Sequence, residues 1–403
     1  MDLLAHRRVS RALLLRVSVW VLLALAVAAC SSSSVDGGAA VEGEAADPAE
    51  LTPAVAPTAV QLPPIDLQLL LDDWVSSEDL VGAVAAVATI DDMTVASAGL
   101  TEIGTTELIG PNHRFRIGSI TKLFTATLVM RLVEGGVLGL DDPVSAYLPD
   151  APPGVTIAQL LSHRSGIVDQ GGNEFEAIAA EIGAALSDPS TVRLPAEVVA
   201  EALGRELAFE PGTNEQYSNV GYLVLDPVIE TAAGTDYESA LIELVLEPAG
   251  LDNTGVDTGA ADMAAPHERL ALDQPPFSLR AMRTDVAVGA TTAAGGLVSD
   301  VYELVAFAEA LFGGEIVSAS SLEEMMDTTQ SAGASYGLGM DVYRLDGRTV
   351  LGHDGRTIGY GASLRHDPTT GLTVVVLANE GTFATRPFAD RLVIEASRLA
   401  VPE

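Results

Sequence analysis

The 403-residue chain contains one cysteine, Cys30, and one lysine, Lys122; apart from six histidines, its other basic side chains are all arginine. A lone cysteine excludes an internal disulfide and any cysteine-built metal centre. Lysine and arginine together number 21 against 56 acidic residues, a formal net charge of −35. A surface so short of cations repels phosphate backbones, which argues against nucleic acid as a partner. The acidity itself reads as a solvated, soluble exterior. Aromatic residues are sparse at 5%, but the hydrophobic fraction of 48% is ample for a large core. The length fits one large domain or two intimate ones. There is no internal repeat and no basic block.

The cations of the first residues are unevenly placed. Arg7, Arg8, Arg11 and Arg16 precede the apolar run VSVWVLLALAVAA, the order of an export signal. Beyond Arg16 the run is too short for a comfortable bilayer span. It ends in VAACS, which resembles the bacterial lipobox. That resemblance implies an exported protein whose first mature residue, Cys30, is lipidated and holds it to the extracytoplasmic face of the membrane. The following residues, to Pro64, are rich in Ser, Ala, Gly, Pro and acids and read as a flexible tether. The expected organisation is a signal over 1–29, a tether over 30–64 and a folded domain over 65–403.

Within that domain, IDLQLLLDDWVSSEDL places Leu67, Leu70, Leu71 and Trp74 at helical spacing. VGAVAAVATIDD and MTVASAGL read as two strands joined across Asp91 and Asp92. From Ser119 to Val133 apolar residues occupy the whole helical circumference, the mark of a buried helix, and Gly135 and Gly136 end it. Helical patches separated by Pro and Gly turns follow to Phe312. Strand character returns in YGLGMDVYRL, RTVLGH, YGASLRHD and LTVVVLAN, and FADRLVIEASRL closes the chain as a helix. Strands at both ends with helices between predict an α/β arrangement: a sheet layer from about 65–115 and 300–403, and a helical half from about 119–300.

The lone lysine is the chemical clue. Ser119 sits at the first turn of the buried helix, where free backbone N–H groups and the positive dipole end flank its hydroxyl. Lys122, three residues on, projects from the same face. Desolvation and the helix dipole both disfavour an ammonium there, so Lys122 is expected to serve as a neutral base. Arginine cannot lose its proton at any usable pH. A salt bridge tolerates arginine, whereas a removable proton requires lysine.

FRIGSITK resembles the Ser-x-x-Lys helix start of serine β-lactamases and penicillin-binding proteins, in the branch of class C β-lactamases and D-Ala-D-Ala carboxypeptidases. Two further elements follow in that family's order: Tyr217, Ser218 and Asn219 in FEPGTNEQYSNVGY, and His353, Asp354 and Gly355 in LGHDGRTIGYGASL, where the family has Lys-Thr-Gly. LLSHRSGI, LDDPVSAYLPD and AAGGLVSD are weaker echoes, and the likeness runs from Ile65 to Ala400. It implies an α+β fold in which an antiparallel sheet flanked by helices packs on an all-helical half. It also implies a serine hydrolase that forms an acyl-enzyme on small esters, amides or D-amino-acid peptides, without cofactor or metal. Ser119 would be the nucleophile, Lys122 its base, and Tyr217 a partner in proton transfer. Asn219 would bond the substrate, the N–H groups of Ser119 and Arg356 would form an oxyanion hole, and Gly355 would allow close approach. His353 departs from the family's lysine and is a weaker cation at neutral pH, while Asp354 replaces a hydroxyl. Carboxylate-bearing substrates are thereby disfavoured unless Arg356 or Arg365 compensates. Alternatives are a true D-Ala-D-Ala carboxypeptidase or β-lactamase, and a non-catalytic binding lipoprotein of the same fold.

Two rival sites have less behind them. GASYG around Ser335 matches the nucleophile-elbow pattern but leads into a strand instead of a helix. A metal site from His163, His353, Asp354, His366 and Asp367 lacks helical spacing and a cysteine. His113 and His267 have no motif around them and read as surface residues.

Overall fold

A computed structural model describes residues 44–45, 65–169, 194–257, 259, 262–269, 272–280, 292–328, 335–382 and 384–399. The expected signal, Cys30 and the tether apart from Glu44 and Ala45 lie outside the described residues. The strands, in chain order, are β1 (Glu44–Ala45), β2 (Gly82–Ala88), β3 (Met93–Gly99), β4 (Phe115–Arg116), β5 (Gly255–Val256), β6 (His267–Glu268), β7 (Phe277–Ser278), β8 (Leu297–Ser299), β9 (Asp341–Leu345), β10 (Arg348–Thr357), β11 (Tyr360–Asp367) and β12 (Leu372–Ala378). The helices used below are α1 (Leu67–Ser77), α2 (Thr121–Glu134), α3 (Ile157–Leu161), α4 (Pro195–Leu203), α5 (Asn219–Ala233), α6 (Tyr237–Leu241), α7 (Thr292–Gly295), α8 (Val301–Phe312), α9 (Ala319–Met326) and α10 (Arg386–Leu399).

A seven-stranded sheet of order β1-β9-β10-β11-β12-β2-β3 forms the spine, antiparallel at every junction. The last strand of the chain lies beside β2, so both ends of the domain build one layer. β2 reads GAVAAVA and is buried along its whole length, because both faces are covered and neither polar nor apolar alternation is needed. Its Ala83, Ala85 and Val87 face a core with Leu67, Leu71 and Val75 of α1 and Phe388, Leu392 and Val393 of α10. Val84, Ala86 and Ala88 face the opposite, larger core under the helical half. Each fully buried Val or Leu in these layers contributes about 1.5–3 kcal/mol relative to exposure. Trp74 stacks on Phe388 at 4.5 Å and closes α1 against α10.

The helical half is inserted between β3 and β9. α2 is its axis: Leu123, Phe124, Ala126, Leu128, Val129 and Met130 are fully buried, as are Thr121, Thr125 and Thr127. Those threonines stay buried at little cost because their hydroxyls have backbone partners, for example Thr125 to the Ala293 carbonyl at 2.7 Å. Phe124 stacks on Phe307 of α8. Gly135 caps α2, and Gly136 turns the chain away at φ +67°. The strand expected over YGLGMDVYRL begins only at Asp341. Gly339 sits at φ +81° just before it, where a Cβ would lie 2.3 Å from that of Ala126. Bending there seats the segment against α2. Glu44 and Ala45, assigned by composition to the tether, pair with Arg344 and Tyr343, occupying open edge hydrogen bonds of β9.

Candidate active site

Gly118–Ile120 form a 3₁₀ turn that leads into α2, and Ser119 stands on it with 9% of its surface exposed. Two glycines bring β10 against this turn. Gly118 has φ +50°, and a Cβ there would lie 2.7 Å from the backbone nitrogen of Arg356; a Cβ on Gly355 would lie 1.9 Å from the carbonyl of Ile117. Without side chains at either position, the backbone of Arg356 lies directly beside the Ser119 turn.

Lys122 is completely buried. Its Nζ lies 3.0 Å from Ser119 Oγ, 2.7 Å from Asn219 Oδ1 and 2.7 Å from the carbonyl oxygen of Ala294 on α7. Amide and carbonyl oxygens only accept, whereas a serine hydroxyl either donates or accepts. α7 is held in place by Thr292, which bonds Asp226 of α5, and by the Thr125 bond to Ala293. Nζ also lies 4.9 Å from the ring centre of Tyr217 and 5.4 Å from that of Tyr222.

Tyr217 donates to Ser119 Oγ at 2.8 Å and is 40% exposed. Ser218 caps α5, its Oγ accepting from Gly221 N–H at 2.9 Å. Asn219 is the first residue of that helix. The segment between α3 and Asp169 clamps all three. The His163 ring lies 4.2 Å from that of Tyr217, and its Nδ1 accepts from the Ser218 N–H at 3.1 Å. His163 itself adopts φ +58°. Burial, then the nearby Lys122 charge, pushes its pKa well below the usual histidine value. Asp169 accepts from Asn219 Nδ2 at 2.9 Å and from the backbone N–H of Asn219 and Val220. Neither His163 nor Asp169 was assigned to this site from sequence. The LLSHRSGI echo pointed at the segment, but no spacing tells which residue of it meets Asn219.

His353 occupies the family's lysine position and is buried. Its Nδ1 lies 2.5 Å from the Asp354 carbonyl and its Nε2 lies 3.0 Å from the Tyr336 hydroxyl. The carbonyl accepts, so Nδ1 carries the proton and Nε2 takes the Tyr336 proton. Burial, then the Lys122 charge, lowers its pKa to about 4. Both ring nitrogens are thus engaged within the protein. Asp354, on the opposite face of the strand, meets Ser363 Oγ at 2.6 Å and Arg365 at 2.5 Å. Burial pushes its carboxyl up, but the Arg365 and Arg386 charges and the Ser363 hydrogen bond together outweigh this and hold it below the ordinary value. Arg365 is fully buried between Asp354 and Asp390, so it does not compensate for the missing lysine. The Arg356 side chain bonds the Gly381 carbonyl at 2.6 Å.

Ser335 is exposed at the approach to β9, while Gly333 and Ala334 of its motif lie outside the described residues. His366 stacks on Phe312 and bonds Thr373, and Asp367 pairs with Arg348. Among the described residues no metal-ligating cluster forms. His267 is buried, contrary to its reading as a surface residue: its Nε2 accepts from Ile103 N–H, and Nδ1 contacts the Asn379 carbonyl. His113 is half-buried and bonds Gly110.

The chain is similar to Penicillin-binding protein 4 of Amycolatopsis lactamdurans, 28% identical over 354 residues, covering 80% of this chain and 87% of that protein. It is 32% identical over 202 residues to Esterase EstB of Burkholderia gladioli, covering 47% of this chain and 50% of the esterase. The crystal structure of a D-stereospecific amidohydrolase from Streptomyces sp. superimposes with a TM-score of 0.67 at 28% identity, covering 78% of this chain and 93% of that one. The Beta-lactamase family model matches residues 67–398, the folded part almost entire, and the chain belongs to the β-lactamase family of serine hydrolases.

Proposed function

We propose that Ser119 is the nucleophile and Lys122 the base of an acyl-enzyme hydrolase acting on uncharged esters or amides, including those of D-amino acids. The observation that carries this is the set of oxygens around Lys122. A neutral amine has two N–H groups and one lone pair; Asn219 Oδ1 and Ala294 O take the two protons, which leaves the lone pair facing the Ser119 hydroxyl. The Ser119 proton passes to Nζ as Oγ bonds the substrate carbonyl carbon. The resulting oxyanion is received by the N–H groups of Ser119 and Arg356, each such donor being worth about 3 kcal/mol. Tyr217 gives its phenolic proton to the departing alcohol or amine as its bond to carbon breaks, and the proton held by Lys122 restores the phenol. Water then attacks the ester carbon, giving one proton to Lys122, and that proton passes to Ser119 Oγ as its bond to the acyl carbon breaks and the acid is released. Asn219 and Gly355 border the bound substrate. The names of the similar proteins, an esterase and a D-stereospecific amidohydrolase among them, support this substrate range.

Labelling by a fluorophosphonate, read by intact mass, tests the assignment. Ser119→Ala abolishes labelling and ester hydrolysis, and Ser335→Ala leaves both near wild type; a label on Ser335 overturns the reading. The VAACS segment supports an exported, lipid-anchored protein. Cys30→Ala then releases the protein from the membrane fraction or leaves its signal uncleaved, and a cleaved, still membrane-bound variant contradicts the anchor.

A further inference from the structure

The carboxylate of Asp169 makes four contacts with the start of α5. Oδ2 accepts from the backbone N–H of Asn219 at 3.0 Å and from Asn219 Nδ2 at 2.9 Å. Oδ1 accepts from Val220 N–H at 2.8 Å and from Ser218 Oγ at 3.1 Å. A side-chain amide has one donating and one accepting end, and it is satisfied either way round only where its neighbours are indifferent. Here they are not. A carboxylate accepts, so the end of Asn219 that faces Asp169 is Nδ2, and the end that faces Lys122 is Oδ1, 2.7 Å from Nζ. Reversed, the amide would aim N–H groups at Lys122, and these would either occupy the lone pair of the amine or oppose the ammonium.

We infer that Asp169 is a positioning residue for the hydrolytic reaction: by fixing the direction of the Asn219 amide it directs the Lys122 lone pair to Ser119. The chain of contacts is Asp169 to Asn219, Asn219 to Lys122, Lys122 to Ser119. The logic is that of an acid that holds a base in its productive orientation without touching substrate. The inference depends on the Ser119 and Lys122 roles proposed above. Its rival is a helix cap and nothing more, since Asp169 also satisfies N–H groups of the first turn of α5.

The test is the second-order rate constant for fluorophosphonate labelling from pH 5 to 9, in wild type, Asp169→Asn, Asn219→Ala and the double variant, with melting temperatures measured alongside. Asp169→Asn removes both the carboxylate charge and the constraint on the amide. Labelling at pH 7.5 then slows about 10- to 100-fold, and the acidic limb of the profile moves to lower pH, because the ammonium has lost support. The double variant labels no more slowly than Asn219→Ala alone, because the two residues act in series. Should Asp169→Asn not fold, Asn219→Asp probes the same link from the other side: a carboxylate next to Lys122 favours the ammonium and moves the acidic limb to higher pH. An unmoved limb, or rate losses that add in the double variant, reduces Asp169 to a cap. Persistent labelling of Ser119→Ala would instead remove the reading on which the inference stands.

Discussion

Tyr336 donates its hydroxyl proton to Nε2 of His353 across 3.0 Å, and this bond settles what the family's lysine position offers a substrate. The other ring nitrogen is bound to the Asp354 carbonyl, so neither ring nitrogen is left to a substrate, and burial keeps the ring neutral until pH falls toward 4.

The first prediction follows from the His353 pKa of about 4. Its charged form appears only as pH falls toward 4, so between pH 8 and 5 the ratio of kcat/KM for a neutral ester over a matched carboxylate ester stays flat and favours the neutral compound. His353→Lys adds a cation and moves the ratio toward the carboxylate by about tenfold to a hundredfold, the worth of a hydrogen bond to a charged group. A wild-type ratio that falls steadily from pH 7 to 5.5 would mean that His353 titrates near its ordinary value and that its burial does not hold it neutral.

The approach of β10 to the Ser119 turn yields the second. In Gly355→Ala the added Cβ would lie 1.9 Å from the Ile117 carbonyl, and in Gly118→Ala it would lie 2.7 Å from Arg356 N at a φ of +50°. Either change drives the strand from the turn and separates the two N–H groups proposed to receive the oxyanion. Displacement of about 1 Å costs on the order of 100-fold in rate. Acylation measured by ester burst kinetics therefore falls by about that factor in both variants while circular dichroism still reports the native fold. Wild-type burst rates in either would show that this contact does not shape the site.

Stability below neutral pH provides the third. His366 is buried against Phe312, and burial lowers its pKa to about 4. The unfolded chain binds its proton below about 6.5 and the folded chain does not, so stability is lost as pH falls from 6.5 toward 4. The loss is about 1.4 kcal/mol per pH unit, or roughly 2 kcal/mol by pH 5. His366→Gln removes this contribution. The difference in urea midpoint between pH 7 and pH 5 is then smaller in the variant than in wild type; equal differences would show that His366 protonates inside the fold.

Much of the site was legible because it is local. Ser119 and Lys122 meet at 3.0 Å because three residues along a helix return to one face, and no distant part of the chain is needed. The all-round burial of α2 was equally readable, since apolar residues cover its circumference. The alternation of β10 dictated that His353 and Asp354 point to opposite sides, though not which side holds α10 with its Arg386 and which holds Lys122. Only packing decided that, and with it the burial of Arg365 and the neutrality of His353. The same is true of His267, whose partners Ile103 and Asn379 stand far from it in the chain.

By itself the sequence determined the Ser119 turn, its lysine and the family pattern, all carried by spacing within single elements. Tertiary structure alone decided what surrounds that lysine: Asn219 from α5, the Ala294 carbonyl from α7, Tyr217 from the loop before α5, and Asp169 behind Asn219. These groups come from segments whose meeting depends on how the helical half closes over α2. A hydrogen bond between residues far apart in the chain leaves no period in the sequence, because its geometry is set by the packing of the intervening core and not by the residues that make it.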